Sequence, residues 1–566
     1  MARESPGSTW LVYAAFALVL GAQVFLGLWG VADQWTRGHN GWNGAAYQNG
    51  ARNTLRWGTL FPLQYGTDNV PPKEEALYTH APLGLHLHLV AATRLLGDHE
   101  ATVRGVAAFW SIAVVCALFF VVRRFWGDSE AVLAAAIYVA LPINAIYMNM
   151  ANHSAGFLFW GLVALALYVS SDDDRGWRRG TFAAFLGAIA MGAAWDWPAY
   201  YVAFAIAVHW ALREWREQHQ FSWRLVAFCV WVASLFLVHL ALVYESTGSL
   251  DELTSTFNAR RALSGTRFRT HLLVVPPLMF TWPLLSVAAG WLLISGLRTL
   301  RGVGRPRDVI PIAFLFAALV HYGTFRWSAV VHSYWAWPAL PYVAITVSVS
   351  ILATARALGG TAATRIAAVA IAACVLIPLA VRDGAMVAEG RHVGGSMWFF
   401  TPVRGAIDTY DSGRPELRLA ELVRERTDRA TGVQLHPGFK SRRLEPRFDI
   451  TLDRATYRWS PRPRERIDNR QGVDGWVFLA PIAEVAEEER IALASRHPYR
   501  EFDAYFMADL RREGVDVEIW KSVSTPATVG WRLLHSPRES PVRMSRSRTK
   551  EDDLRARIAA QEGKRE

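Results

Sequence analysis

The feature that most limits the fold of this chain is a series of apolar runs, each about as long as a membrane is thick. A helix needs roughly 20 mostly apolar residues to cross the hydrocarbon core. Such runs recur over the first two thirds of the 566-residue chain. They fall at 10–29, 103–122, 130–148, 154–170, 180–195, 198–212, 223–244, 271–297, 309–324, 335–355 and 364–381. We therefore expect an all-α polytopic membrane domain with about eleven transmembrane helices.

Charged residues are sparse before residue 383 and dense after it, which indicates a second kind of domain. Helix-like segments at 416–429 and 482–495 alternate there with strand-like segments at 432–435, 475–480, 515–520 and 530–534. This alternation predicts a small α/β soluble domain over 384–535, after a membrane domain over 1–383. The last residues, 536–566, are rich in Arg, Ser, Glu and Lys, and we expect a disordered basic tail.

The arginines between the apolar runs predict how the chain is oriented. The net charge is +11, but much of it lies in short loops at 123–124, 172–179, 213–224, 298–307 and 356–365. These loops share one side if residues 82–96, a shorter apolar stretch, lie on the membrane surface. The predicted topology is multi-pass in the cell inner (plasma) membrane, with a cytoplasmic N-terminus. The first extracytoplasmic loop then covers 30–102, and the C-terminal domain is also extracytoplasmic. Membrane topology explains the positive charge, so we expect no nucleic-acid partner.

The histidine and cysteine pattern argues against a metal site. His80, His86 and His88 have no carboxylate or cysteine at ligand spacing, and the three cysteines lie inside apolar runs. We expect neither a metal nor another cofactor.

Short motifs on the predicted outer side occur in a characteristic order. They are His39-Asn40-Gly41-Trp42, Tyr47, Ala51-Arg52-Asn53, Thr79-His80-Ala81-Pro82-Leu83-Gly84, Arg94-Leu95-Leu96-Gly97, Arg104 and His332-Ser333-Tyr334. This order resembles the GT-C glycosyltransferases of the protein-mannosyltransferase, aminoarabinose-transferase and RgtA/B/C/D-like group, over residues 10–355. The resemblance implies a GT-C-like membrane domain that transfers a sugar from a polyprenyl-phosphate carrier to an envelope acceptor (lipid, glycan or protein). Its expected partners are that lipid-linked donor, the acceptor and the bilayer.

The sequence departs from the family pattern at both expected carboxylates. The first-loop acid normally precedes the tyrosine matched by Tyr47, but residues 43–46 read Asn-Gly-Ala-Ala. The second is expected where Met150-Ala151-Asn152-His153 stands. Either the match is displaced by several residues, or another group acts as the base, or the protein does not catalyse transfer.

Four outer-side residues are candidates for the missing base. They are Asp196, Asp33, His39 and His153. Asp196 lies at a predicted membrane boundary, where an ionisable side chain is a functional candidate, but it can also cap the helix starting at Trp197-Pro198. Asp33 has a simpler interpretation as a solvated loop acid. For His39 and His153 the simpler interpretation is that they are structural, hydrogen-bonded side chains.

A second set of residues is expected to bind the donor and its phosphate. It comprises His80, Arg104, Arg326, His332 and Tyr334. The resemblance implies the phosphate role for His80 and Arg104, although Arg104 can also reach the membrane interface from a buried position. The other three form a basic and aromatic group that would equally suit an interfacial belt. Arg260 and Arg261 are further basic residues, for which a surface position is the simpler interpretation.

Two other functions stay open at this point. A transporter or flippase would also be polytopic, although the apolar pattern shows no internal repeat and few ionisable residues lie deep within the spans. A non-catalytic GT-C relative that binds a lipid-linked glycan would explain the missing carboxylates.

Overall fold

A computed structural model describes residues 6–32, 35, 39–64, 77–171, 177–262, 265–358, 414–427 and five strand segments. It divides the chain into two compact units, residues 1–429 with 441–456 and residues 430–440 with 457–566. Several predicted features lie outside the described residues. They are Asp33, the span at 364–381, the boundary at 383, the segments at 482–495, 515–520 and 530–534, and the tail at 536–566.

From residue 6 to residue 358, the described part of the first unit consists of helices and short connections. The first eight helices are α1 Pro6–Leu28, α2 His39–Trp57, α3 Gly84–Leu96, α4 Glu100–Phe125, α5 Asp128–Ala140, α6 Pro142–Tyr147, α7 Ser154–Ser170 and α8 Arg179–Trp195. The next eight are α9 Pro198–Gln218, α10 Trp223–Thr247, α11 Asp251–Arg261, α12 Gly265–Phe280, α13 Trp282–Leu300, α14 Val309–Thr324, α15 Arg326–Val331 and α16 Leu340–Ala357. Short 3-10 helices cover Pro306–Asp308 and Ser333–Ala339.

Five helices in the described residues are long and apolar enough to cross a membrane. They cover Trp10–Leu28, Glu100–Phe125, Trp223–Thr247, Trp282–Leu300 and Tyr334–Ala357, and Ser154–Ser170 is a shorter apolar helix. This is the pattern of a membrane-integral protein. The count of eleven spans stays a prediction, since several of the expected runs form helices of only 13–17 residues.

Two predicted spans are interrupted, and in both a proline lies at the start of the second helix. The run at 130–148 forms α5 and α6, which begins at Pro142. The run at 271–297 breaks at Thr281, whose φ is 62°, and Pro283 follows in the first turn of α13. Proline has no amide hydrogen and fixes its own φ, so it is favoured in the first turn of a helix. Helix α12 also contains Pro276 and Pro277 in its interior, just before the break at Thr281. Apolar content predicts a run, whereas proline position decides where its helix restarts.

Several predicted inner loops meet at one end of the first unit. Arg356, near the end of α16, donates to Glu130 in α5, and Arg123 pairs with Asp128. Arg307 donates to the carbonyl oxygen of Phe125. Helix ends that are distant in the sequence are thereby joined through charge-assisted hydrogen bonds.

The first loop of the sequence prediction contains two helices. The polar face of α2 is buried, and two of its asparagines, Asn49 and Asn53, donate to the carbonyl oxygens of Gln64 and Leu63. The helix expected near residues 82–96 is present as α3. Its 13 residues span about 20 Å, which is shorter than the hydrocarbon core.

Beyond residue 413 the described residues hold one helix and a mixed sheet. Helix α17 covers Arg414–Arg426, and the strands are β1 Thr431–Leu435, β2 Thr456–Arg458, β3 Gly475–Pro481, β4 Tyr499–Phe502 and β5 Tyr505–Asp509. The strand order is β2-β1-β3-β5-β4, with β1 parallel to β3 and the pairs β3–β5 and β4–β5 antiparallel. Strands β1 and β3 and the helix lie where the sequence predicts them. The α/β domain as a whole stays a prediction.

Candidate active site

A cavity of about 380 Å³ lies where the ends of several helices of the first unit converge with the segments that connect them. Its walls come from α2, the segment before α3, the connections before α7 and α9, α11, α14 and the 3-10 helix at Ser333–Ala339. The charged and titratable groups of the lining are Asp196, Glu252, Arg260, four histidines (His80, His153, His321 and His332) and the tyrosines Tyr47, Tyr78 and Tyr334. This mixture of acids, a cation and aromatic rings is typical of a ligand site.

The position of Asp196 follows from tight packing around the end of α8. Trp195, the last residue of that helix, is fully buried beside Gly156 of α7, where a Cβ would lie only 2.1 Å from the indole. Gly84 at the start of α3 similarly approaches the carbonyl oxygen of Ala194, 2.6 Å from where its Cβ would be. Because these two positions hold glycine, the helices approach closely enough to direct the next residue, Asp196, into the cavity wall.

Burial changes the acidity of Asp196. Its Oδ1 accepts from the backbone N–H of Trp197 at 2.8 Å, and its Oδ2 accepts from the Ser154 hydroxyl at 3.4 Å. Burial raises the pKa of Asp196 to about 7, although these hydrogen bonds and the charge of Arg260 act in the opposite direction. The N-cap residue of α9 is Trp197, and no side chain caps that helix. The capping interpretation of Asp196 is therefore not what the structure shows.

His153 lines the same cavity, but both of its ring nitrogens are already engaged. A carbonyl oxygen only accepts, so Nδ1–H donates to Trp195 O at 3.0 Å, and Nε2 accepts from the Tyr47 hydroxyl at 2.6 Å. Burial also lowers the pKa of His153 to about 3. The geometry gives this histidine a role in holding the cavity wall rather than in accepting a substrate proton.

His80 is bonded to a carboxylate that the sequence analysis did not single out. Its Nδ1–H donates to Oε1 of Glu252 at 2.9 Å, and Thr79 and Thr256 also donate to that carboxylate. Burial tends to raise the pKa of Glu252, but the bonds from His80 and Thr79 lower it to about 2.

The His80–Glu252 contact has the distance of an ion pair, yet the imidazole is neutral near pH 7. Burial lowers the pKa of His80 to about 4 in spite of its carboxylate partner. We describe the contact as a hydrogen bond from a neutral ring, since the ring is deeply buried. A neutral His80 supplies no positive charge for a phosphate, and its role in binding the donor stays a prediction.

Arg260 is the one lysine or arginine among the described residues that line the cavity. Its guanidinium carbon lies 5.7 Å from the ring centre of Trp335, and the Trp335 ring stacks on His321 with the ring centres 4.3 Å apart. The charge of Arg260 contributes to the lowered pKa values of His80 and His153. The charge of Arg260 thus influences the pKa values of residues on more than one wall of the cavity.

Of the four other residues predicted to bind the donor, two line the cavity and two do not. His332 and Tyr334 line the cavity, but Arg326 begins α15 and is not among the described lining residues. Arg104 is fully buried elsewhere, with its guanidinium 4.1 Å from the Trp35 ring centre and donating to Val31 O at 3.1 Å. The first turn of α4 faces the end of α1, which explains why Arg104 lies away from the cavity.

The side chains of the two remaining predicted base candidates, His39 and Asp33, lie outside what the structure describes. His39 begins α2, and the structure describes its backbone position alone, while Asp33 lies outside the described residues. Among the described residues, no three His, Cys, Asp or Glu side chains form a group that could hold a metal ion.

Part of the chain matches a family of known activity. Residues 79–242 match the family model for dolichyl-phosphate-mannose-protein mannosyltransferase. That segment contains His80, His153 and Asp196 and ends before Glu252 and Arg260. A comparison with curated proteins finds no match.

The whole fold is similar to solved membrane-protein structures. ArnT from Cupriavidus metallidurans bound to undecaprenyl phosphate superposes with a TM-score of 0.55 at 13% identity, over 89% of this chain and 98% of that one. Its apo state gives 0.56 at 14% identity, with coverages of 92% and 100%. The oligosaccharyltransferase AglB from Archaeoglobus fulgidus, in complex with an inhibitory peptide and a dolichol-phosphate, gives 0.53 at 12% identity, with coverages of 90% and 75%. The chain has the fold of the GT-C glycosyltransferases.

In this GT-C fold, the first-loop position expected to carry an acid faces the cavity with an amide. Asn43, one turn before Tyr47 on α2, donates to the Tyr334 hydroxyl at 3.2 Å. An amide cannot accept a proton near neutral pH, so Asn43 cannot replace the expected acid. Among the described residues that line the cavity, the acids are Asp196 and Glu252.

Glu252 is the residue that sequence reasoning missed, and Arg260 is the one it placed at the surface. Both lie on α11, a polar helix with no buried residue, so neither periodicity nor burial distinguishes them from solvated charges. The one sequence signal for a functional role was that both residues lie in a loop on the predicted outer side, where the GT-C motifs also lie.

Proposed function

We propose that this protein is a membrane glycosyltransferase that moves a sugar from a polyprenyl-phosphate carrier to a cell-envelope acceptor on the extracytoplasmic side. The observation that carries the proposal is that a carboxyl group with a pKa near neutrality, Asp196, and a guanidinium, Arg260, line one cavity. Transfer from a phosphate carrier needs a group that takes a proton from the acceptor and a cation that stabilises the departing phosphate.

The reaction is a single displacement at the anomeric carbon. The acceptor oxygen or nitrogen forms a bond to that carbon, while the bond from the carbon to the phosphate oxygen breaks and its electron pair stays on the phosphate. The acceptor's proton goes to the Asp196 carboxylate. The polyprenyl phosphate leaves with the extra negative charge, which Arg260 stabilises through charge-assisted hydrogen bonds. The sugar product has inverted configuration, because the attack occurs once and from the face opposite the phosphate.

Arg260 suits the donor phosphate better than His80 does. Among the described residues, no carboxylate forms a salt bridge with its guanidinium, whereas the Nδ1–H of His80 is already bonded to Glu252. Two solved structures with this fold support a lipid phosphate as the ligand class, since they contain undecaprenyl phosphate and a dolichol-phosphate. Tyr334 and His332 line the same cavity and are within the proposed donor site.

The cavity belongs to the face that we assign to the extracytoplasmic side. Arginines of the predicted inner loops meet at other helix ends, through the Arg356–Glu130 and Arg123–Asp128 pairs. The positive-inside rule supports a cytoplasmic position for that cluster and an extracytoplasmic position for the cavity. The proposed location of the protein is the cell inner membrane. A donor anchored by its lipid tail can then reach the cavity from the outer leaflet.

The non-catalytic alternative loses its main support. It was based on the lack of carboxylates at the two expected positions, and the cavity contains Asp196 and Glu252 from other positions. Transferase activity is therefore the function that the geometry favours.

The test is sugar transfer by the purified full chain in lipid nanodiscs. Radiolabelled polyprenyl-phosphate sugars are the donors, and extracted envelope lipids, glycans and proteins are the acceptors. We expect the wild type to release sugar from at least one donor, and Asp196→Asn to lower kcat by a factor on the order of 10²–10⁴. Asp251→Asn is the matched control, because Asp251 is an exposed acid at the start of α11 that does not line the cavity.

Two outcomes would count against the proposal. If Asp196→Asn turns over at the rate of Asp251→Asn, Asp196 is not the base. If no donor in the panel loses its sugar in the wild type, the chain is not a transferase of this class.

A further inference from the structure

Helix α11 carries the two charged cavity residues that follow the family match at residues 79–242, namely Glu252 and Arg260. This helix is nevertheless weakly packed against the rest of the first unit. It has no buried residue, and four of its eleven side chains are charged: Asp251, Glu252, Arg260 and Arg261. A helix without a buried apolar face gains little from the hydrophobic effect. Its orientation must therefore depend on a few specific contacts.

The strongest of these contacts is made by Glu252. Its carboxylate accepts from the Thr79 hydroxyl and from His80 Nδ1–H, which both belong to the segment before α3. It also accepts from Thr256 one turn along its own helix, at 3.1 Å. Hydrogen bonds to an ionised acceptor are roughly twice as strong as neutral ones. The first turn of α11 is thus tied to the opposite wall of the cavity.

Arg260 lies at the other end of the same short helix. Eight residues separate it from Glu252, which corresponds to about 12 Å along the helix axis and about 80° around it. A second contact near that end is edge-to-face packing of Phe257 on Phe325, with ring centres 5.4 Å apart. Because a helix of this length behaves as a rigid rod, the anchor at Glu252 decides where the guanidinium points.

We propose that Glu252 is a positioning residue, which holds α11 against Thr79 and His80 so that Arg260 meets the phosphate of the lipid-linked donor. This inference rests on the function proposed above and assigns Glu252 a role that acts through Arg260. Glu252 itself touches neither the sugar nor the phosphate, since its negative charge would repel the phosphate.

A different route from Glu252 to activity would run through His80. If Glu252 served to orient that imidazole toward the reacting atoms, its removal would lower kcat whether or not Arg260 is present. The two routes differ in a double-mutant cycle, because effects that share one path do not multiply.

The experiment measures binding of polyprenyl monophosphate, without a sugar, to the full chain in nanodiscs. The variants are Arg260→Gln, Glu252→Ala and the double variant. The matched controls are Arg261→Gln and Asp251→Ala, each an exposed neighbour of the same charge. We expect Arg260→Gln to raise Kd by about 10- to 100-fold, the range of a hydrogen bond to a charged group. Glu252→Ala should raise Kd by about tenfold or more, and the double variant should bind like Arg260→Gln alone.

Sugar transfer provides the second measurement. Glu252→Ala should raise KM for the donor with little change in kcat. Glu252→Gln should recover part of the affinity, because its one amide oxygen can still accept from His80 Nδ1–H while its amide N–H can donate to the Thr79 hydroxyl. Arg260→Gln should have the melting temperature of the Asp251→Ala control, since α11 buries no residue. Glu252→Ala should melt at a lower temperature, because the buried Thr79 hydroxyl and His80 Nδ1–H lose their acceptor.

Three results would overturn the inference. If Glu252→Ala binds like its control while Arg260→Gln is impaired, Glu252 does not position Arg260, and the proposed function is unaffected. If the losses in the double variant multiply, or if kcat falls with KM unchanged, Glu252 acts by a route other than Arg260. If Arg260→Gln itself binds normally, the proposed phosphate site fails together with the inference.

Discussion

Asp196 shows how a residue's surroundings decide its chemistry. In the sequence it is an acid between two apolar runs, which is equally compatible with a helix cap and with a catalytic group. In the structure it is enclosed by the ends of α7, α8 and α9, and burial raises its pKa to about 7. An aspartate with that pKa is a far stronger base than a solvated one, and it is still largely ionised just above neutral pH.

The pH dependence of transfer tests this directly. Only ionised Asp196 can take the acceptor's proton, so kcat/KM should fall about tenfold per pH unit below pH 7 and level off above it. His80 and Glu252 should contribute no step there, because their pKa values are lowered to about 4 and about 2. The measurement is the initial rate of sugar transfer between pH 5 and pH 9, with an acceptor that does not titrate in this range. A rate that stays constant from pH 9 down to pH 5 would exclude Asp196 as the base.

At the scale of elements, the junction between α8 and α9 depends on two glycines. Gly84 and Gly156 allow α3 and α7 to approach the chain at residues 194–195 more closely than any side chain would. This close approach sets the position of Trp195, and the next residue is Asp196. The packing of the helices and the position of the proposed base are therefore one structural feature.

Gly156→Ala tests that coupling. The added methyl would lie 2.1 Å from the Trp195 ring, so the ring must move, at a cost of about 1–3 kcal/mol in stability, as is usual for overpacking. We expect a lower melting temperature and a lower kcat. Gly187→Ala in α8 is the control, because its Cβ meets nothing within 4 Å. Equal melting temperatures and rates for the two variants would contradict the role assigned to Gly156.

At the scale of the first unit, the two sets of helix ends differ in character. One set joins arginines of the predicted inner loops to acids and carbonyl oxygens, and the other set encloses the cavity. The proposed function and topology require this separation, with the basic loops on one side of the membrane and the lipid-linked donor on the other. The positive-inside rule predicts that the arginine-bearing helix ends face the cytoplasm, and this orientation can be tested by labelling.

Cysteine labelling in intact cells provides this test. In a chain whose three cysteines are replaced by serine, Ser255→Cys on α11 should react with a membrane-impermeant maleimide. Val303→Cys, in the exposed connection after α13, should react only after the cells are permeabilised. The opposite pattern would place the cavity in the cytoplasm and refute the proposed topology.

Patterns of local composition determined several features of this protein from the sequence alone. Runs of apolar residues predict membrane helices because every turn of a spanning helix is surrounded by hydrocarbon and so needs apolar side chains. Most of the described runs are helical. The ordered motifs from His39 to Tyr334 indicated the GT-C fold, and the structural comparisons confirm it. The short helix near residues 82–96 and the strands β1 and β3 were likewise visible as local patterns.

Only the tertiary structure decided which charged groups share a cavity. Asp196, His80, Glu252 and Arg260 come from separate segments, and their meeting depends on close helix contacts that no local pattern encodes. The tertiary fold also removed Arg104 from the site, by burying it against Trp35. The physical reason is that acidity and ligand binding depend on desolvation and on neighbouring charges, and both are properties of the folded arrangement rather than of any one segment.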